Sequence, residues 1–340
     1  MILFNNYCKP WIRNKYLIKN LKICQIPLYL DTEICYNIYD CAKILILFQF
    51  FGGTMTYNEI CLALAEAEIE NNRGETAMLI CHFCNITKAD LLLRRDEDFD
   101  SPELCAAVKK RCKHYPLQYS LGYWSFCNET YKVTENTLIP RQDTEKLVEL
   151  AIKLIPENAR IIDLCTGSGC VAISTLAQRQ DCHAVAIDLF PETLDIAREN
   201  AESNGVGDRM GFLAQDVLYP SFMSPLGKFD CILSNPPYIE TREISLLDEE
   251  LSYEPRAALD GGDDGLDFYR VIIGEYGEYL TDNGIMLLEI GCDQAKSVSA
   301  IAAAAGMRCE IYKDYGGNDR VAYLKKAPPR IEEPDITPEA

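Results

Sequence analysis

The sequence predicts an α/β protein, with a mainly parallel seven-stranded sheet preceded by a small helical domain. From residue 141 onward, short apolar strands alternate with helices, which is typical of a parallel sheet covered on both faces. Between residues 55 and 115, by contrast, helix-start signals recur without strands between them. The length of 340 residues is sufficient for two domains.

The helical domain is predicted from its caps. Thr56 and Thr87 each precede an acidic residue by three positions, which is the capping-box pattern, and Ser101 stands directly before a proline. We therefore expect four helices, at 57 to about 71, 75–84, from 88 onward, and from 102 onward. Residues 116–140 are rich in aromatic and β-forming side chains and predict a β-hairpin connector.

The sheet is expected within residues 141–326. Predicted strands are 160–164, 184–188, 210–213, 229–234, 284–290, 308–313 and 320–325. Predicted helices are 145–154, 170–178, 191–204, 266–280 and 294–304. Too few residues separate the last two strands for a crossover helix, so these strands must be antiparallel to each other.

The two ends of the chain differ from the rest. Residues 1–54 are slightly basic, and their apolar run Ile44–Phe51 is far shorter than the roughly 20 residues that span a bilayer. Because a capping box follows Met55 at once, we expect the folded protein to begin there. Residues 1–54 would then be an extension or a mis-called start, and a peripheral membrane or partner arm is the alternative. The Pro- and Glu-rich tail 327–340 is predicted to be disordered.

The net charge and the cysteines limit the partners, the redox state and the metal sites that we expect for this protein. The chain has 33 basic and 52 acidic residues, a net charge of −19, which disfavours direct binding to nucleic acid or to an anionic membrane. The 16 cysteines are scattered, as expected of reduced thiols in a cytoplasmic protein. One CxxC pair, Cys81 and Cys84, lacks a second pair of ligands, so we predict no metal site.

A glycine-rich loop closes the first predicted strand of the sheet. The loop reads Asp-Leu-Cys-Thr-Gly-Ser-Gly over 163–169 and leads into a helix. Glycines allow a tight turn, and a helix N-terminus offers free N–H groups to a ligand. Asp188 ends the next strand, where a carboxylate can accept both hydroxyls of a ribose. The pair predicts a nucleoside-containing cofactor.

A second motif distinguishes between cofactors. The strand 229–234 runs into Asn235-Pro236-Pro237-Tyr238 at the edge of the sheet where open α/β folds bind ligands. The prolines remove two N–H donors and leave carbonyl acceptors, while Asn235 adds an amide oxygen and Tyr238 a flat ring. Two acceptors and a ring are suited to a planar NH₂ group. Hydride transfer needs no such arrangement.

These motifs together resemble those of the release factor glutamine methyltransferases, which use S-adenosylmethionine. The resemblance covers about residues 55–325. It is carried by the DLCTGSG loop, Asp188, NPPY, the stretch YPLQYSLGYWSFCNETYKVTENTLIPRQDTEKLVELAI and the stretch YEPRAALDGGDDGLDFYR. Two positions depart from the family pattern: Gln142-Asp143 stands where Pro-Glu is common, and Val217 where an aromatic is frequent.

The resemblance implies a Rossmann-like class I methyltransferase sheet whose last strand is antiparallel. It implies that S-adenosylmethionine is bound by Cys165, Thr166, Gly167, Ser168, Gly169, Asp188, Asp216, Val217 and Asn235. It implies that the substrate glutamine is bound by Asn235, Pro236, Pro237 and Tyr238, with Asn235 and Pro236 as the catalytic residues. The glutamine would lie in the Gly-Gly-Gln loop of a peptide chain release factor. The helical domain 55–115 would dock that protein, and the enzyme would act as a cytoplasmic monomer.

Other functions remain compatible with parts of the pattern. A ribosomal-protein glutamine methyltransferase differs only in its docking surface. A nucleic-acid adenine methyltransferase shares the NH₂-binding motif, but it would need a positive groove and a target-recognition domain, and the acidic charge of the chain argues against both. A nucleotide-binding module without catalysis would not need Asn-Pro-Pro-Tyr. A nicotinamide-dependent oxidoreductase shares only the glycine loop and the acidic residue.

Overall fold

The computed structural model describes residues 54–327. The predictions for residues 1–53 and 328–340 lie outside this range. The described residues from Met55 onward belong to a single unit. No helix of the described part is long and apolar enough to cross a membrane.

Three of the four N-terminal helices begin where their caps predict, whereas the second begins at Asn72, three residues before the predicted start, and has no side-chain cap. The four helices are α1 Tyr57–Glu66, α2 Asn72–Phe83, α3 Lys88–Leu93 and α4 Pro102–Arg111, with short strands β1 Thr54–Met55 and β2 Phe99–Asp100. Thr56 and Thr87 both form the predicted capping boxes, and the Ser101 hydroxyl accepts from the Leu104 amide. Helix α1 ends five residues earlier than expected because Glu68 has a positive φ of 61°, a conformation that a helix cannot contain.

The connector differs from the prediction. A short helix, α5 Leu117–Leu121, precedes the hairpin of β3 Tyr123–Phe126 and β4 Glu129–Lys132. Gly122 ends α5 with a φ of 77°. The aromatic content suggested strand throughout, but the Tyr119 ring is buried and its hydroxyl donates to the Thr137 carbonyl at 2.6 Å. Tertiary contacts of this kind override local propensity.

The main sheet has seven strands in the described part of the chain. They are β5 Arg160–Leu164, β6 His183–Asp188, β7 Met210–Ala214, β8 Phe229–Ser234, β9 Leu280–Glu289, β10 Met307–Lys313 and β11 Asp319–Lys326. Their spatial order is β10-β11-β9-β8-β5-β6-β7. Strands β5 to β9 are parallel, whereas β11 is antiparallel to both of its neighbours, as predicted.

Five helices cover the sheet: α6 Glu145–Leu154, α7 Cys170–Gln178, α8 Pro191–Ser203, α9 Asp267–Glu275 and α10 Ala295–Ala304. Alternate strand residues enter two separate apolar clusters. Ile161 packs with α6 and α7 on one face, while Ile162 packs with α9 and α10 on the other. The predicted helix 266–280 stops at Glu275, continues as a 3₁₀ turn, and gives way at Leu280 to β9.

The topology brings the predicted site loops together. Strands β6, β5 and β8 are adjacent and parallel, so the residues after Asp188, Leu164 and Ser234 meet at one edge of the sheet. This is the edge where open α/β sheets bind their ligands.

Candidate active site

The glycine loop after β5 makes a tight turn that glycine permits. Cys165, Gly167 and Gly169 have φ values of 59°, 55° and 82°. A Cβ atom on Gly169 would lie 2.8 Å from the Ile173 side chain and 3.3 Å from Ala197. Glycine at 169 therefore serves both the backbone conformation and the close packing of the loop against α7 and α8.

Asp188 ties this loop to the end of β6. Its carboxylate accepts the Gly167 amide at 2.9 Å and the Phe190 amide at 3.2 Å. Burial raises the pKa of Asp188, and the backbone donors oppose that rise. A carboxylate offers about four acceptor sites, so two remain for hydroxyl groups of a ligand.

A single cavity brings together seven of the residues implicated by the sequence. Its volume is about 670 Å³ with the open mouth included. The implicated residues that line it are Cys165, Gly167, Asp188, Asp216, Val217, Asn235 and Pro237. Thr166 and Ser168 line a smaller cavity that shares Cys165, Gly167 and Asn235 with the first. Gly169, Pro236 and Tyr238 are not among the lining residues of either cavity.

The Asn-Pro-Pro-Tyr segment is held by hydrogen bonds from several directions. The Asn235 amide nitrogen Nδ2 donates to Thr144 Oγ1 at 3.2 Å. The Tyr238 hydroxyl donates to Glu289 Oε1 at 3.4 Å, and its backbone carbonyl accepts from the Gln294 side chain at 3.0 Å. The hydroxyl of Tyr238 thus points to protein groups, and the proposed stacking of its ring on the substrate amide stays a prediction.

Residues 253–262, which we call the returning loop, pack against this segment. Ile239 forms a parallel bridge with Asp260, and a Cβ atom on Gly261 would lie only 2.7 Å from Tyr238 Cα. Glycine at 261 is thus required by the close approach of the two backbones. The returning loop belongs to the YEPRAALDGG stretch, which carried the resemblance without an assigned role.

Several cavity residues escaped the sequence analysis. They are Asn136, Leu138, Leu189, Phe190, Thr193, Pro255, Ala257, Ala258 and Phe268. The returning loop supplies three of them, and its resemblance to the family over YEPRAALDGG was the signal in the sequence that could have indicated them. Phe190 is 43% exposed and places an aromatic ring in the wall beside Asp188. No sequence pattern singled it out.

The two departures from the family pattern have structural places. Val217 is buried and lines the cavity, and its carbonyl accepts the Tyr276 hydroxyl at 2.8 Å. Asp143 forms an ion pair with Arg320 at 3.2 Å. Neither residue is left without a contact. In the described part of the chain, no group of three or more His, Cys, Asp and Glu side chains could hold a metal ion.

Comparisons with known proteins agree with this geometry. Residues 56–122 match the family model described as PrmC N-terminal domain, and residues 143–262 match the one described as methyltransferase small domain. The release factor glutamine methyltransferase of Geobacter sulfurreducens is 40% identical over 266 residues, which cover 76% of this chain and 91% of that protein. The chain belongs to the release factor glutamine methyltransferases.

A second member of the family, from Thermodesulfovibrio yellowstonii, is 40% identical over 264 residues, 75% of this chain and 93% of its own. A solved structure of a release factor-specific protein-(glutamine-N5) methyltransferase from Alicyclobacillus acidocaldarius is 28% identical. It covers 58% of this chain and all of its own, with a TM-score of 0.36. Membership of this family, shown by the two 40% identical relatives and the methyltransferase domain match, makes the chain a methyltransferase enzyme, and its seven-stranded sheet is Rossmann-like.

Proposed function

We propose that this enzyme transfers the methyl group of S-adenosylmethionine to the side-chain amide nitrogen of the glutamine in the Gly-Gly-Gln loop of peptide chain release factors. One observation supports this most strongly. Asn235, the residue suited to an amide NH₂ group, lines the same cavity as the glycine loop and Asp188. The methyl donor and the methyl acceptor can thus meet in one enclosed space.

The residues of the cavity fit a nucleoside methyl donor. Asp188 has free acceptor sites for ribose hydroxyls, and the turn at Gly167 leaves open space where a side chain would stand. Asp216 and Val217 would contact the adenine, with Asp216 held by the Leu218 amide at 2.9 Å. When bound, the sulfonium of S-adenosylmethionine supplies a strongly activated methyl group.

The enzyme's own contribution is to orient the substrate amide. An amide nitrogen is a weak nucleophile because its lone pair is delocalised into the carbonyl group. Asn235 Oδ1 and the Pro236 carbonyl would accept the two amide hydrogens and fix the nitrogen toward the methyl group. The same oxygens favour the positive charge that develops on nitrogen during transfer.

A glutamine preceded by two glycines fits the opening. Glycines give a flexible approach without side chains, so the amide can enter beside Asn235. A protein segment that acts against ribosomal RNA is expected to be basic, and an enzyme with a net charge of −19 attracts it. We propose that the helical segment 55–115 provides a second docking surface. Since translation termination is cytoplasmic, we also propose a cytoplasmic enzyme that acts as a monomer.

The test is direct methyl transfer followed by tandem mass spectrometry. The purified enzyme is incubated with labelled S-adenosylmethionine and, separately, a release factor, ribosomal proteins and DNA. We expect label on the release factor alone, on the amide of the loop glutamine. A release factor with that glutamine replaced by alanine is the matched control and should stay unlabelled. Label on ribosomal proteins or DNA in place of the release factor would overturn the proposal.

A further inference from the structure

A buried carboxylate at the end of β9 has no part in the chemistry described so far. Glu289 is 2% exposed. Its Oε1 atom accepts the Tyr238 hydroxyl at 3.4 Å, while Oε2 is buried without a hydrogen-bond partner among the described residues. A buried carboxyl group of this kind is costly to retain. Its position beside the Asn-Pro-Pro-Tyr segment suggests what it does.

Glu289 and Asn235 lie on the same face of neighbouring strand ends. Ser234 of β8 is in register with Leu288 of β9, so the next residues of the two strands are side by side. Alternation places both on the face that α6 covers, because Leu233 and Leu287 belong to the apolar cluster on that face. The buried Thr144 stands at the N-terminus of α6, with its hydroxyl oxygen 3.2 Å from Asn235 Nδ2.

Thr144 connects the two side chains. Its hydroxyl oxygen accepts from Asn235 Nδ2, so its own proton is available to another acceptor. The Thr144 hydroxyl also acts on Glu289, whose pKa it lowers, and the buried, unpartnered Oε2 of Glu289 is an acceptor for that proton. When Glu289 is ionised, the Thr144 hydroxyl therefore donates to its carboxylate, Asn235 Nδ2 donates to Thr144 Oγ1, and Asn235 Oδ1 is left free to accept. If the side-chain amide of Asn235 were turned by 180°, so that Oδ1 and Nδ2 exchanged places, its NH₂ group would face the NH₂ group of the substrate.

We propose that Glu289 is a positioning residue, which through Thr144 fixes the orientation of the Asn235 amide and through the Tyr238 hydroxyl holds the far end of the motif. The role of Oδ1 in accepting the substrate amide rests on the proposed function. The orientation of Asn235 does not, since it is a property of the free enzyme.

The charge state of Glu289 decides whether the chain of hydrogen bonds runs in this direction. Burial raises the pKa of Glu289 to about 7, and Asp143 adds to the rise, while Thr144, Arg320 and Tyr238 oppose it. The ionisable groups that face it from the surrounding elements are Asp143, Cys170, Tyr238, Tyr269 and Arg320.

Arg320 does not neutralise Glu289 by itself. Its guanidinium also bonds Asp314 at 3.2 Å and Asp143 at 3.2 Å, so its charge is shared among several carboxylates. A protonated Glu289 donates where the ionised form accepts, and the orientation of Asn235 is then no longer enforced. Turnover should therefore fall as pH decreases through about 7.

The experiment compares Glu289→Gln with the pair Thr144→Val and Thr144→Ser. We expect Glu289→Gln to lower kcat by about tenfold or more, because a hydrogen bond to a charged group is lost. KM for S-adenosylmethionine should stay within about twofold of the wild-type value. The fall in kcat near pH 7 should disappear as well. Thr144→Val should match this loss, Thr144→Ser should restore activity, and exposed Glu157→Gln should have no effect.

A second readout is independent of the methyl acceptor. The side-chain amide signal of Asn235 in ¹⁵N-labelled enzyme, assigned with Asn235→Asp, should titrate near pH 7 in the wild type and not in Glu289→Gln. If the wild type fails to methylate a release factor but this titration is seen, the proposed function fails and the positioning role stands. The positioning role would be overturned by a wild-type kcat and pH profile in Glu289→Gln. It would also be overturned if the Asn235 signal titrated in the same way in Glu289→Gln as in the wild type.

Discussion

Arg111 Nη1 donates to Glu250 Oε2 at 2.9 Å, and this ion pair joins the last helix of the N-terminal segment to the loop that follows Asn-Pro-Pro-Tyr. Arg111 also holds Glu75 of α2 through two hydrogen bonds, at 2.5 and 3.1 Å. Next to the pair, the Tyr253 hydroxyl donates to the Lys113 carbonyl at 2.9 Å. The helical segment therefore holds one wall of the methyltransferase cavity in place, in addition to any docking role.

The Arg111 contacts predict unequal effects of two substitutions. Arg111→Met leaves Glu75, a largely buried carboxylate, without its cation and should lower the free energy of unfolding by about 3 kcal/mol. Glu250→Gln leaves the pair with Glu75 intact and affects a more exposed partner, so we expect a loss of less than about 1 kcal/mol. Urea unfolding of both variants measures the difference. Equal losses would contradict the assignment of Glu75 as the principal partner.

Asp188 is predicted to control binding of the methyl donor. Asp188→Ala removes charge-assisted acceptors for the ribose and frees the Gly167 amide, so the affinity for S-adenosylmethionine should fall at least about tenfold. Isothermal titration calorimetry measures this, with circular dichroism as a check on folding. Asp195→Asn changes an exposed acid that pairs with Arg198, and it serves as the control. Unchanged affinity in Asp188→Ala would mean that the donor binds elsewhere.

Asn235 is predicted to control turnover. Asn235→Ala should lower kcat on the order of a hundredfold, as expected for loss of one preorganised polar contact, while the donor still binds. Asn235→Asp keeps an acceptor of similar shape but loses the NH₂ group that donates to Thr144. We expect partial activity from that variant. Single-turnover assays with a release factor measure both, and wild-type turnover in the alanine variant would exclude Asn235 from orienting the amide.

The sequence predicted those parts of the fold that depend on local signals. The caps at Thr56 and Thr87 are local, and so is the strand that ends before Asn235. The end of α1 was missed because the left-handed residue there is Glu68, which has no sequence signature for that conformation. Helix α5 was missed because it has only five residues and is fixed by tertiary contacts.

In the candidate site, too, local signals predicted some features, while tertiary contacts decide the others. The glycine loop and Asp188 were predictable because the loop closes one recognisable strand and Asp188 ends the next. The relation between Thr144 and Glu289 was not, since these residues are far apart in the chain and meet only through the register of β8 with β9 and the placement of α6. Pairing across a sheet is decided by tertiary structure, which neither composition nor periodicity reveals.

The buried carboxyl group of Asp163 predicts a specific dependence of stability on pH. Burial raises its pKa to about 7, although the Thr166 hydroxyl donates to it at 2.6 Å. The folded state thus keeps a proton that the unfolded state loses near pH 4, and the free energy of unfolding should fall as pH rises from about 4 to about 7. In Asp163→Asn this contribution should vanish. Urea unfolding at pH 5 and 8 tests it, and an equal pH dependence in the variant would contradict it.

The last prediction concerns the protein substrate. Asp248 and Glu249, in the loop that leads to the cavity wall, are exposed and make no ion pair in the described part of the chain. If the acidic charge attracts a basic release factor tip, KM for the release factor should rise as salt increases, while KM for S-adenosylmethionine changes little. Reversing both charges to lysine should raise KM for the release factor at low salt without changing kcat.

A matched pair of reversals tests whether position matters. Glu157 and Asp208 are exposed and precede β5 and β7, at the opposite edge of the sheet from the cavity. Reversing these two changes the net charge of the enzyme by the same amount as reversing Asp248 and Glu249. If the release factor docks at the cavity edge, only the reversal of Asp248 and Glu249 should raise KM for the release factor strongly, because screening limits charge effects to about 10 Å at 0.1 M salt. Equal effects of the two pairs would show that the overall charge, and not a docking surface beside the cavity, attracts the substrate.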